Sequence, residues 1–153
     1  MPKRPASRPR FSPSRQLLPT LLCAAEAARE SAFGAMESEL GLSPGKFRLL
    51  TALADSAGPL SAGTLAQTLK VSDATVSIMV KRMLREDEPL VRRTPSGLDH
   101  RAVEIELTER GAALLSLAQA LVEAGSWTFA SPLSKAEQLL LIGLLEKLEG
   151  GRN

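Results

Sequence analysis

Apolar residues recur at three- and four-residue steps between Leu17 and Leu40: Leu18, Leu21, Leu22, Ala25, Ala28, Ala32, Phe33 and Met36. That spacing puts them on one side of an α-helix. Gly41 follows where a helix end favours a left-handed residue. Ser43-Pro44 opens a second helix, because serine caps an N-terminus and proline fits the first helical position. It carries Phe47, Leu49, Leu50 and Leu53 and stops near Gly58-Pro59. Ser61 starts a short third helix that ends near Leu69, with Leu65, Ala66 and Leu69 as its buried side. After the turn at Lys70-Val71, Ser72 caps a fourth helix through about Glu86, with Val76, Met79, Val80 and Met83 on its inner face. Two helices joined by so short a turn form a helix-turn-helix.

The period then changes from helical to alternating. Val103, Ile105 and Leu107 fall on one face of a strand, and Ala102, Glu104 and Glu106 on the other. Its partner runs from about Leu90 to Thr94. Pro95 to His100 is too long for a tight turn, so the tip of this hairpin should protrude. Thr108 caps a long fifth helix through Ala112, Leu115, Leu117, Ala118, Leu121 and Val122, which fades near Trp127 to Phe129. Ser134-Lys135-Ala136-Glu137 is a capping box; it leads a last helix, Leu139 to Leu148, closed by Gly150-Gly151. The predicted fold is mainly α with a small β-hairpin wing: a winged helix-turn-helix with helical extensions at both ends.

Composition narrows the chemistry. The 153 residues suit one domain, and with 3% aromatics and no tyrosine the core must be Leu, Ala, Val and Ile. One cysteine, Cys23, excludes an internal disulfide and alone makes no zinc site. Residues 1–15 hold Lys3, Arg4, Arg8, Arg10 and Arg15 with no acid; removing those five charges from the net +2 leaves −3 for the rest. With Pro2, Pro5, Pro9 and Pro13 in the same stretch, residues 1–15 read as a disordered basic tail. The apolar LLPTLLCAAEAA behind it makes a poor signal peptide, broken by Pro19 and closed early by Glu26. A cytoplasmic protein with no membrane partner is therefore expected. No nucleophile–base pair, glycine-rich phosphate loop or metal spacing occurs, and His100 is the sole histidine. Neither an enzyme nor a cofactor is expected.

A major groove admits an α-helix whose outer side chains read base edges. With the inner face of the fourth helix assigned, Asp73, Ala74, Thr75, Ser77, Ile78, Lys81 and Arg82 face outwards. Thr75 and Ser77 suit bases or phosphates, Ile78 suits thymine methyls, and Lys81, Arg82 and Arg85 suit phosphates. Ser61 and Ser72, at the starts of the two helices, complete the candidate contact set on that side.

From Leu42 to Leu115 the chain resembles the MarR family of bacterial transcriptional regulators. The resemblance rests on LSPGKFRLLTAL, LSAGTLAQTLKVSDATVSIMVKRM and LVRRTPSGLDHRAVEIELTERG in that order. Its most diagnostic parts are Asp99-x-Arg101 in the wing and the closing Leu107-Thr108-x-x-Gly111. The resemblance implies a ligand-responsive repressor, with Arg101 entering the minor groove and Asp99 holding its guanidinium. Arg92 and Arg93 are expected to follow the DNA backbone, and His100 to touch phosphate. The chain departs from the family at LREDEPLV, where Glu86-Asp87-Glu88 and Pro89 are expected to tilt the wing or repel DNA locally.

The resemblance further implies a homodimer built from residues 16–41 and 108–149, with Leu139, Leu140, Ile142, Leu144 and Leu145 suited to the interface. Residues 42–107 then form the DNA-binding region, and two-fold symmetry implies a pseudo-palindromic operator in double-stranded DNA. A small-molecule effector is implied, but no residue here identifies it. Cys23 stands roughly where peroxide-sensing members keep a reactive thiol. Lacking tyrosines and flanked by Leu22, Ala24 and Ala25, it is expected to be buried and inert. Two alternatives stay open: a winged helix used as a protein-interaction module, and a thiol-based sensor acting through Cys23.

Overall fold

The computed structural model describes residues 12–95 and 103–150. Six helices and a small sheet follow in the order α1 (Pro13–Leu40), α2 (Pro44–Ala54), β1 (Leu60–Ser61), α3 (Ala62–Leu69), α4 (Asp73–Leu84), β2 (Val91–Pro95), β3 (Val103–Leu107), α5 (Glu109–Ala130) and α6 (Lys135–Gly150). The caps explain most of the boundaries. Ser43, Ser61, Ser72 and Thr108 each accept a hydrogen bond from the backbone N–H three residues on, satisfying a donor that the helix itself leaves open. Ser134 and Glu137 close the expected capping box: Oε2 of Glu137 accepts from the Ser134 backbone at 2.8 Å.

The helix-turn-helix turns on one left-handed residue. Lys70 sits at φ 56°, the only non-glycine with positive φ among the described residues, and its N–H is shared by the carbonyls of Ala66 and Gln67. Arg48, from α2, donates to the Leu69 carbonyl at 3.0 Å and so occupies an acceptor that the end of α3 leaves free.

The sheet is three-stranded and antiparallel, in the order β1-β3-β2. β2 and β3 pair in the hairpin register Val91↔Leu107 through Pro95↔Val103. β1 adds Leu60↔Ile105 and Ser61↔Glu104. This edge strand was not predicted: two residues carry no periodicity, and β1 exists only because Ile105 lies beside it.

One core joins the elements. Met36 from α1, Leu49 and Leu50 from α2, Leu65 from α3, Val76, Val80 and Met83 from α4, Val91 and Ile105 from the sheet, and Leu115 and Ala118 from α5 are all buried. Burying each Leu, Ile, Val or Met contributes about 1.5–3 kcal/mol, so this cluster determines how α4 and the wing are mounted. Phe33 and Phe47 meet edge to face beside it, with centroids 6.1 Å apart. Two glycines permit close backbone approach. A Cβ on Gly111 would lie 2.0 Å from the Leu90 carbonyl oxygen, and one on Gly125 would lie 1.9 Å from that of Ser31. At the second point α1 and α5 cross, and the Ser31 hydroxyl donates to the Gly125 carbonyl at 2.8 Å.

Several expectations need correction. The helical part begins at Pro13, not after residue 15, since proline at the first helical position loses no hydrogen bond. Val103 lies on the expected strand face but is exposed, because the core ends below the hairpin tip. Gly150 lies within α6 and does not close it. Cys23 is exposed, not buried: the first half of α1 projects past the core, and none of the other described residues covers that cysteine. Along α6 no residue is buried, and Leu140 is 65% exposed. Residues 1–11, which include most of the basic tail, and Gly151 lie outside the described residues. Among the described residues, no helix is long and apolar enough to cross a membrane.

Candidate nucleic-acid interface

The outward face of α4 is formed by the residues that the core leaves over. Val76, Val80 and Met83 are buried, and this fixes the helix about its axis. Asp73, Ala74, Thr75, Ser77, Ile78, Lys81 and Arg82 are then exposed together. Ile78 is 53% exposed, a β-branched apolar side chain placed on a helix surface outside the buried cluster of the described residues. Lys81 and Arg82 lie in the last turn, where cations also complement the helix dipole. Ser72 and Thr75 are exposed, but their hydroxyls lie 2.8 Å apart and Ser72 also caps the helix. Ser61 is paired in the same way with Thr64 at 2.9 Å. These hydrogen bonds hold the side chains at the N-termini of α3 and α4, and each pair of hydroxyls keeps one O–H and two lone pairs for a further partner.

The wing stands beside this face. Thr108 fastens its base: its hydroxyl donates to the Pro89 carbonyl at 2.7 Å and accepts from the Gly111 N–H at 3.0 Å. Leu90 joins the same junction, donating to the Met83 carbonyl and accepting from the Thr108 N–H, each at 3.2 Å. The motif Leu-Thr-x-x-Gly is thus a joint between wing and α5. Two of the three acids in the acidic departure are paired. Glu86 pairs with Lys46 of α2 at 2.6 Å, and Glu88 pairs with Arg110 of α5 at 3.0 Å. Asp87, between them, is exposed and has no ion pair among the described residues.

Of the wing's arginines, Arg93 is exposed and has no ion pair among the described residues. Arg92 differs. Its Nε donates to Oε1 of Glu106 directly across the hairpin at 2.6 Å. That hydrogen bond, then the charge of Glu106 and the more distant charge of Glu109, push the guanidinium above its already high range. Glu106 and Arg48 were missed as positioning residues, since an acid on a strand and an arginine on a helix give no periodic signal of a specific partner. Asp99, His100 and Arg101 lie outside the described residues.

A profile of the MarR family matches residues 40–102, the stretch that holds the helix-turn-helix and most of the wing. A Thauera aromatica protein described as a transcriptional regulatory protein for the hcr operon is 31% identical over 108 residues, 71% of this chain. The chain belongs to the MarR family.

The matched stretch spans 63% of the Thauera protein's length. A MarR-family fold also appears in solved structures. A probable transcriptional regulator from Pseudomonas aeruginosa is 25% identical with a TM-score of 0.72, covering 88% of this chain and 98% of its own. Wild-type MarR of E. coli in its apo form is 22% identical, with a TM-score of 0.68 over 92% of this chain and 98% of that one. A cysteine-to-serine variant of E. coli MarR, complexed with operator DNA, is 22% identical with a TM-score of 0.75, over 92% and 99%. The MarR family comprises transcription regulators, not enzymes.

Proposed function

We propose that this MarR-family protein is a dimeric, sequence-specific double-stranded DNA-binding regulator, a repressor released by a small effector. α4 enters the major groove and the wing tip reaches the adjacent minor groove. The observation that carries the reading is the exposed face of α4: Ser77, Ile78, Lys81 and Arg82 lie together on a helix rigidly mounted by its buried side. A helix surface with an exposed isoleucine between hydroxyls and cations matches the mixed apolar and polar edge of a major groove. The operator complex of the E. coli MarR variant supports the same use of this fold.

Duplexes selected by the protein from fragments of its source genome supply the test. Arg101→Ala and Lys81→Ala are each expected to weaken binding of a selected duplex by about tenfold, one good contact's worth, in fluorescence anisotropy. Failure to select any duplex, or full affinity in both variants, would refute the proposal.

The dimer is supported by α6. Its residues Leu139, Leu140, Ile142, Leu144, Leu145 and Leu148 are all exposed, beside an apolar groove of about 580 Å³ shared with Leu17, Leu18 and Leu22 of α1. So continuous an apolar surface marks an association site. Two-fold pairing would place the α4 helices about 34 Å apart, one DNA turn. The double substitution Leu140→Asp with Leu144→Asp is expected to halve the sedimenting mass and abolish operator binding at nanomolar protein; an unchanged mass would refute the dimer.

A further inference from the structure

One face of the wing sheet is dominated by acid. Register places Arg92 opposite Glu106 and Thr94 opposite Glu104, so these four share a face. Glu109, at the start of α5, acts on the same guanidinium. Among the described residues one arginine is set beside the carboxylates of Glu106 and Glu109 there, on an element otherwise expected to meet a polyanion. The pairing is well built for a surface ion pair. The Glu106 side chain is only 26% exposed, which restrains it, while Arg92 is 64% exposed and could swing outwards if released.

We propose that Glu106 is a positioning residue that withholds Arg92 from the DNA backbone and so limits how many phosphates the wing engages. The inference rests on the DNA-binding reading above. For Arg92 to reach a phosphate it must first give up a charge-assisted hydrogen bond of 2.6 Å. The phosphate then gains one cation but faces a bare Glu106 carboxylate, with Glu109 behind it. The exchange yields little, so Arg92 remains on the sheet and Arg93, which has no such partner among the described residues, takes the backbone contact. The wing therefore approaches DNA by its tip and its Arg93 side, with its acidic face turned away. Weak engagement has a use: affinity drawn from phosphates is blind to sequence, and restraining it leaves more of the total to the base contacts of α4.

Removing the restraint gives a measurable signature. In the full chain, Glu106→Gln is expected to raise affinity of the dimer for the selected duplex about four- to 25-fold, the scale of one exposed ion pair in each protomer. It should also steepen the dependence of log K on log salt by about 1.8, one further phosphate for each protomer of the dimer. Glu106→Asp, which keeps the charge, should retain the wild-type slope. Arg92→Gln alone should shift the slope by much less than one phosphate per protomer, yet in the Glu106→Gln background it should remove the gain. A merely structural role would not move the slope. The inference is overturned if Glu106→Gln leaves the slope unchanged. It is equally overturned if the gain survives in the double variant, which would make Glu106 a simple repeller of phosphate, or if Arg92→Gln alone costs a full phosphate per protomer. Binding by the wild type with any of these results sinks this inference alone; absence of salt-dependent binding in every variant sinks the DNA-binding reading with it.

Discussion

Raising salt from about 50 to about 200 mM is expected to weaken binding of the selected duplex by ~10³–10⁵-fold. The size follows from the count of cations free to meet phosphate. Lys81, Arg82, Arg85 and Arg93 are exposed on each protomer, about eight in a dimer before Arg101 is added, and six to ten phosphate contacts give a loss of that order. Of the three acids in the wing connection, Glu86 and Glu88 are already paired with Lys46 and Arg110, which leaves only Asp87 to offset these cations. A winged helix used to grip another protein would depend far less steeply on salt. Anisotropy titrations at four or five salt concentrations separate the two readings, and a flat profile would favour the protein-interaction module.

Gly111→Ala is expected to destabilise the protein by about 3 kcal/mol, the upper range for overpacking. At this chain length that corresponds to a fall of roughly 6–12 °C in Tm. The added methyl would lie 2.0 Å from the Leu90 oxygen, 3.0 Å from its carbonyl carbon and 3.3 Å from Cδ2 of Leu107. Backbone cannot rotate aside as a side chain can, and Leu90 is held by hydrogen bonds to both Met83 and Thr108 while its side chain is buried. The wing or α5 would have to move. Gly34→Ala provides the contrast. There the near atom is the flexible end of Glu30, and replacing a mid-helix glycine should gain about 0.5–1 kcal/mol. Thermal melts of the two variants should shift in opposite directions; a neutral Gly111→Ala would mean that the wing junction yields more easily than its hydrogen bonds suggest.

Much of the architecture could be read from residue pattern because it is local. The serine and threonine caps, the apolar stripe of α4 and the alternation of β3 each depend on neighbours in sequence, and the helices start where their caps require. What escaped depends on distant partners. β1 is two residues recruited by Ile105. Cys23 is exposed because none of the other described residues covers it, which local apolar neighbours cannot reveal. The outer face of α4 followed from its inner one, so Ser77, Ile78, Lys81 and Arg82 were found by subtraction. Arg92 looked like one more basic residue of the wing; only the hairpin register, which sets it against Glu106 fourteen positions away, gives it a different place.

The bare apolar stripe of α6 ties the molecule's behaviour to its abundance. Sixteen residues make a helix of marginal independent stability, and this one has no core of its own to lean on. On the dimer reading, a chain without a mate is half-finished: its last helix frays and its two reading heads are never both in register with the duplex. Occupancy of DNA would then climb with roughly the square of copy number while protein is scarce, giving a threshold in place of a gradual response.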